Sequence, residues 1–151
     1  MKVVHVKPFE DPEVVDIMPD KNGSFLSELQ RLVGGLLEYI DVFFQGGLTV
    51  IVNDEFLLNG SIPNRPFYAT KYMHDAGYLD QLTYSHVVEE GELFFIVFGD
   101  FVIASYDEDG CLRDMTPEEI QTACNFAKPK EFSLQAVLEL QAINSRKVVW
   151  F

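Results

Sequence analysis

Cysteine is scarce in this chain, which has two, Cys111 and Cys124. Two cysteines cannot build a disulfide framework, and neither sits in a CxxC spacing, so both read as free thiols of a reducing compartment. Basic residues are also few: Lys and Arg number 11 against 24 Asp and Glu, for a formal net charge of -13. A protein that grips a phosphate backbone needs clustered Lys and Arg, which argues against direct nucleic-acid binding. Long apolar runs are missing too. The longest, Leu93 to Phe98, has the length of a buried strand and falls far short of the ~20 residues that span a bilayer. The segment Met1–Lys7 lacks the apolar core and small-residue cleavage site of a signal peptide. Together these absences predict a soluble cytoplasmic protein with no membrane association.

Catalytic signatures are equally sparse. The chain contains neither a GxSxG nucleophile elbow nor a phosphate-cradling GxxxxGK[ST] loop. Neither cysteine has an adjacent cation or His to lower its pKa, and Cys124 reads as a small apolar residue on a helix. His86, Glu89 and Glu90 would share a helical face at i, i+3 and i+4, but a metal site needs further ligands, and His5 and His74 are not marked as partners. Solvated surface is the better reading. Asp107-Glu108-Asp109-Gly110 lacks the oxygen positions of a calcium loop and reads as a tight turn. No metal, no cofactor and no catalytic residue is expected.

Core material, in contrast, is plentiful. Apolar residues make up 48% and aromatics 13% of 151 residues, with 13 Phe, which rules out disorder and suits one domain. Residues 2–6 read as an opening strand and Glu13–Met18 as its return. Ser24 begins a helix with Phe25, Leu29, Leu32 and Val33 at helical spacing, and Gly34-Gly35 stops it. Leu36–Phe44 and Leu48–Val52, joined at Gln45-Gly46-Gly47, predict a hairpin. Leu93–Phe98 and Phe101–Ser105 are one kinked strand or a pair. Thr116-Pro117-Glu118-Glu119 is a capping box with Pro at the first helical position, so a helix runs from there to near Pro129. Ser133–Ser145 combines helix-forming composition with strand-like alternation and is taken as a helix.

The expected fold is therefore α+β: a mostly antiparallel sheet with two packed helices and a C-terminal helix. Phe25, Leu29, Leu32, Val50, Ile51, Phe94, Ile96, Phe98, Val102, Ile120 and Cys124 are the expected core.

The most constrained loop is Asn59-Gly60-Ser61-Ile62-Pro63-Asn64-Arg65-Pro66. Pro63 and Asn64 suit the corners of a turn, and Pro66 forces Arg65 into an extended conformation. Two readings stand for Arg65. It pairs structurally with carboxylates or strand-end carbonyls, or it is a fixed fork for an anionic or nucleotide ligand in a small enzyme or binder.

Asn53-Asp54-Glu55 at a strand end, Leu57, the Ile62-Pro63-Asn64-Arg65 segment, the apolar strands around Gly99, and Asp109-Gly110 before Met115–Ile120 resemble one family. It is domain of unknown function 3846, a group of small phage and mobile-element proteins. The resemblance takes in the opening strand, the Leu29–Gly35 helix end and Ile40-Asp41, so it covers most of residues 1–128, which are expected to form a single α+β domain. Residues 129–151 are expected to be a C-terminal extension, helical and packed on the same domain. The resemblance implies a bacterial host cytoplasm and no particular reaction.

Charge is uneven along the chain. Between Tyr72 and Ala127 lie twelve acids and one base, Arg113. This gives part of the surface a negative field that serves solubility, docks a basic protein surface, or imitates DNA phosphates in the groove of a nucleic-acid enzyme. The expectation taken forward is a non-enzymatic accessory protein acting by macromolecular binding. Its candidate loop residues are Asn53, Asn59, Asn64 and Arg65, and its candidate acidic face is Glu89, Glu90, Glu92, Asp107, Glu108 and Asp109.

Overall fold

The β-branched run at the start of the chain forms a strand, as its composition predicts. In the computed structural model, which describes residues 1–41, 43–44, 46–55, 62–75, 90–91 and 93–129, Lys2–Val6 (β1) is paired antiparallel with Glu13–Asp16 (β2), Lys2 facing Asp16 and His5 facing Glu13. Leu26–Val33 forms α1. The predicted hairpin follows as Leu37–Ile40 (β3) and Leu48–Asn53 (β4), with Ile40 opposite Val50. Its strands part earlier than the apolar pattern implies, so the connection is residues 41–47 and not a tight Gly-Gly turn. Pro63–Tyr68 is β5, Lys71–Asp75 is α2 and Leu93–Phe98 is β6. Phe101–Tyr106 (β7), Leu112–Arg113 (β8) and Pro117–Phe126 (α3) complete the order.

Two compact units emerge. The first comprises Met1–Arg65 and Val97–Pro129, and the second Pro66–Ile96 and Lys130–Phe151. In the first, the sheet runs β2-β1-β7-β4-β3 with β8 also beside β7, and each of these pairings is antiparallel. Successive side chains of a strand point to opposite faces. Val3, Ile51, Val102 and Ala104 accordingly share one face with Leu29 and Val33 of α1. Ser105, one residue out of phase with Val102 and Ala104, reaches Glu119 of α3 at 2.8 Å. The two helices thus cover opposite faces of the sheet. The α+β class, with its antiparallel sheet and packed helices, is what the sequence predicts.

Helix boundaries follow local chemistry. Thr116 Oγ1 accepts the Glu119 N–H while the Glu119 carboxylate accepts the Thr116 N–H, the reciprocal capping box that the sequence announces. The α1 start differs from expectation: Phe25 is the cap residue and offers no side-chain bond, while Ser24 Oγ accepts the Leu26 N–H at 3.2 Å from just outside. Gly34 closes α1 in the left-handed conformation, φ 83°.

Three expectations need correction. β6 does not share a sheet with β7 but pairs with β5 in a separate two-stranded sheet. Gly99, at φ 79°, takes a conformation closed to most side chains and breaks the apolar run there. Pro63-Asn64-Arg65 is strand and not turn, because proline is tolerated where a strand needs no N–H on that side. The core is also narrower than expected. Leu29, Val50, Ile51, Ile96 and Val102 are buried, whereas Phe25, Leu32, Phe98, Ile120 and Cys124 are half-buried. In α3 the buried residue is Ala123, joined by Ala127 at the C-cap, and Cys124 is half-buried. The side chain of Phe94, and the segment 133–145 taken as a C-terminal helix, lie outside the described residues. No helix among the described residues is long and apolar enough to cross a membrane.

In the second unit, Phe67, Ala69, Met73 and Ile96 are buried. The Gly91 N–H donates to Ala69 O at 2.8 Å and the Met73 N–H to Thr70 Oγ1 at 3.2 Å.

Candidate functional site

The constrained segment centres on Asn64 and Arg65, and both are almost fully buried, 1% and 2% exposed. Asn64 Nδ2 donates to Val6 O at 3.0 Å and to Gly99 O at 2.8 Å, tying the end of β1 to the turn before β7. The Gly99 N–H donates to Ile62 O at 2.7 Å, so the same turn is held from both sides. Asn64 Oδ1 accepts Arg65 Nη1 at 2.8 Å and fixes the guanidinium. Arg65 Nε donates to Ala127 O at 2.9 Å, where the last carbonyls of α3 carry the negative end of the helix dipole. No basic residue lies in the last turn of α3 itself, and Arg65 supplies that charge from a distant strand. Nη1 also faces Asn64 O and Lys7 O at 3.2 and 3.4 Å, and Nη2 donates to Glu10 O.

One guanidinium therefore joins β5, the β1–β2 loop and the end of α3 through backbone carbonyls. Among the described residues no carboxylate lies within ion-pair distance of it. Burial draws its pKa below the usual range, with Asp11 pulling the other way. Arginine remains charged even so. This geometry engages the donors that an anionic ligand would need.

Beside this cluster, His5 Nε2 lies 2.8 Å from Asp100 Oδ2, with the imidazole buried and the carboxylate half-exposed. No motif signals this pair, whose members are 95 residues apart and meet because β1 and β7 are neighbours.

Asn53 is buried at the end of β4. Its Nδ2 donates to Val33 O at 3.4 Å and its Oδ1 accepts the Glu55 N–H at 2.9 Å, so it fastens the end of α1 and the turn that follows β4. Gly35 leaves room for it: a Cβ there would fall 2.8 Å from Asn53 Nδ2. Asn53, Asn64 and Arg65 thus mark chain junctions and do not line an open loop surface. Asn59 lies outside the described residues.

The acidic candidates divide in their local roles. Asp107 Oδ1 accepts the Asp109 and Cys111 N–H groups at 2.9 and 3.0 Å and closes the β7–β8 turn. Glu108 and Asp109 are exposed in that turn, and Glu90 is exposed in the second unit. Glu89 and Glu92 lie outside the described residues, as does His86.

A further network escaped the sequence reading. Arg113 forks onto Glu119, with Nη1–Oε1 and Nη2–Oε2 both 2.9 Å. Ser105 Oγ lies 2.8 Å from Glu119 Oε2 and 3.2 Å from Gly47 O, and its single proton serves one at a time. Burial alone would raise the Glu119 carboxyl. Hydrogen bonds from Arg113, the Thr116 N–H and Ser105 outweigh it and hold the group down to about 2. The capping box foretold Glu119 as a cap, but its partners across the sheet needed the fold. Among the described residues no group of three His, Cys, Asp or Glu is placed to hold a metal.

The fold and the junction residues define a small α+β protein whose most specific sequence segment forms buried scaffold. The chain belongs to the family described as Domain of unknown function (DUF3846), whose model matches residues 1–128. Neither a curated protein nor a solved structure matches it.

Proposed function

We propose that the protein is a non-enzymatic accessory protein of a phage or mobile element, acting in the host cytoplasm by binding a basic protein surface. The observation that carries this reading is charge of one sign. Between Tyr72 and Ala127 twelve acids stand against one base. That base, Arg113, is forked onto Glu119, so it adds little positive field. Glu90, Glu108 and Asp109 are exposed and available to a cationic partner. With Asn53, Asn64 and Arg65 engaged in junctions, the reading rests on exposed carboxylates, Glu108 and Asp109 in the first unit and Glu90 in the second.

A pull-down from bacterial lysate tests it. Screening shortens from roughly 10 Å at 0.1 M salt to 3 Å at 1 M, so a partner held by exposed charge is retained at low salt and released at high salt. Reversing Glu90, Glu108 and Asp109 to Lys should abolish capture while leaving the unfolding midpoint in place, because rim charges act on association. A partner indifferent to both salt and reversal, or no partner at low salt, refutes the reading.

A further inference from the structure

Phe9, in the loop between β1 and β2, is 78% exposed. It is also the single non-glycine residue with positive φ among the described residues, at 66°. A left-handed backbone is unfavourable for a bulky L-residue, and glycine or asparagine is the usual occupant. An aromatic ring that is both strained and in water gains nothing for the fold from its own burial.

The pedestal beneath it is built. Buried Arg65 donates to the carbonyls on both sides of the ring, Lys7 O and Glu10 O. The Glu10 N–H closes the turn onto Lys7 O at 3.3 Å. Pro8 and Pro12 flank the tip, each with φ fixed by its own ring. The Lys7 ammonium lies 3.9 Å from the Glu13 carboxylate at the base of the loop. Glu10 and Asp11 are exposed next to the ring.

We infer that Phe9 is the anchor of a protein-docking tip, and that its partner is a cationic amphipathic segment of another protein. Apolar side chains of that segment close around the ring while its Lys or Arg residues meet Glu10 and Asp11. An exposed aromatic carried on a backbone held in advance spares the cost of ordering that backbone on binding, and aromatic side chains are frequent interface anchors. Charge selects the occupant. A second copy of this chain brings the same Glu10 and Asp11 and a net charge of -13, and an anionic lipid surface would repel the tip in the same way. The inference is independent of the acidic-stretch proposal, since the tip lies outside Tyr72–Ala127.

The test uses the full chain and an array of synthetic 12-residue amphipathic peptides of net charge +4, beside a charge-reversed set, with fluorescence anisotropy on the best binder. Phe9→Gly, which suits the left-handed backbone, should keep or raise the unfolding midpoint yet weaken that binder by about thirty-fold or more, the effect of truncating a hot spot. Phe9→Tyr should retain binding, and Glu10→Lys with Asp11→Lys should lose it. No preference for the cationic set, or equal binding by Phe9→Gly, overturns the inference. Phe9-dependent self-association in sedimentation, or Phe9-dependent capture by phosphatidylcholine vesicles, overturns it by assigning another occupant. Because Glu90, Glu108 and Asp109 are untouched in these variants, failure here is distinct from failure of the acidic-stretch proposal.

Discussion

Replacing Glu119 by Gln removes one charge from a network that is otherwise complete, and its magnitude can be worked from the geometry. The folded carboxyl sits at about 2, against an ordinary 4.5. At 1.36 kcal/mol per pH unit this gap corresponds to about 3 kcal/mol of stability at neutral pH. The Arg113 side chain is 38% exposed, so solvent screening reduces the figure to about 2 kcal/mol. The folded pKa is depressed, so the contribution is full above the unfolded value and is lost as pH falls from 4.5 toward 2. Gln suits the third position of a capping box, so the α3 start survives and the loss reports on Arg113 and Ser105. Urea unfolding of wild type and Glu119→Gln should differ by about 2 kcal/mol at neutral pH, narrowing by roughly 1 kcal/mol near pH 3.5. A double-mutant cycle with Arg113→Gln should return a coupling of about 1 kcal/mol or more. A difference that stays constant with pH, or a coupling near zero, would refute the reasoning.

Arg65→Met should cost about 3–5 kcal/mol in urea unfolding, since it strands carbonyls of three segments. Arg65→Lys should recover little, because one ammonium cannot span those carbonyls as a planar fork does. If Arg65→Met is neutral, the buried guanidinium is not the junction described. At Gly47, a Cβ would fall 2.7 Å from Tyr106 O, whose own N–H is bonded to Gly47 O at 2.8 Å. Backbone cannot turn aside, so Gly47→Ala should cost about 2–3 kcal/mol, against about 1 for Gly35→Ala, whose nearest neighbours are atoms of the Asn53 side chain. The reverse order in thermal unfolding would show that the sheet edge yields more readily than Asn53.

Much of the scaffold was legible because local chemistry and tertiary structure agree there. β-branched composition gives β1 and a loose alternation β2, paired glycines end α1, and the Thr116–Glu119 box starts α3. Other features are decided by partners remote in sequence. The Leu93–Ser105 stretch reads as one strand or a pair, and only the sheet assignment separates β6 from β7. Pro63-Asn64-Arg65-Pro66 carries turn residues, yet the pairing of β5 with β6 draws it into a strand. The exposure of Phe9 was also beyond reach, because reading Phe9–Pro12 as a turn does not say which way the ring points. Arg65 reads from the sequence as either a pairing residue or a ligand fork, and its bonds to the carbonyls of Ala127, Lys7 and Glu10 come from segments remote in sequence.

The residues that carry the family resemblance are, in this structure, those that fasten segment ends. Asn53 fastens α1 to the end of β4, Asn64 fastens β1 to the turn before β7, and Arg65 fastens the β1–β2 loop to the end of α3. A side chain in such a role cannot be exchanged without stranding buried backbone groups, at about 1–3 kcal/mol each. The segment therefore reports the scaffold and is silent on the ligand. A chain that keeps these three residues should keep these junctions, and under the binding readings proposed above it is free to differ in partner, because neither the acidic stretch nor the Phe9 tip belongs to the Asn53–Asn64–Arg65 set. Two chains of this family with different residues at position 9 should accordingly unfold with similar dependence on their Arg65 equivalents yet select different peptides. Finding that a swap of residues 8–12 between them leaves peptide selection with the original scaffold would place recognition outside the tip.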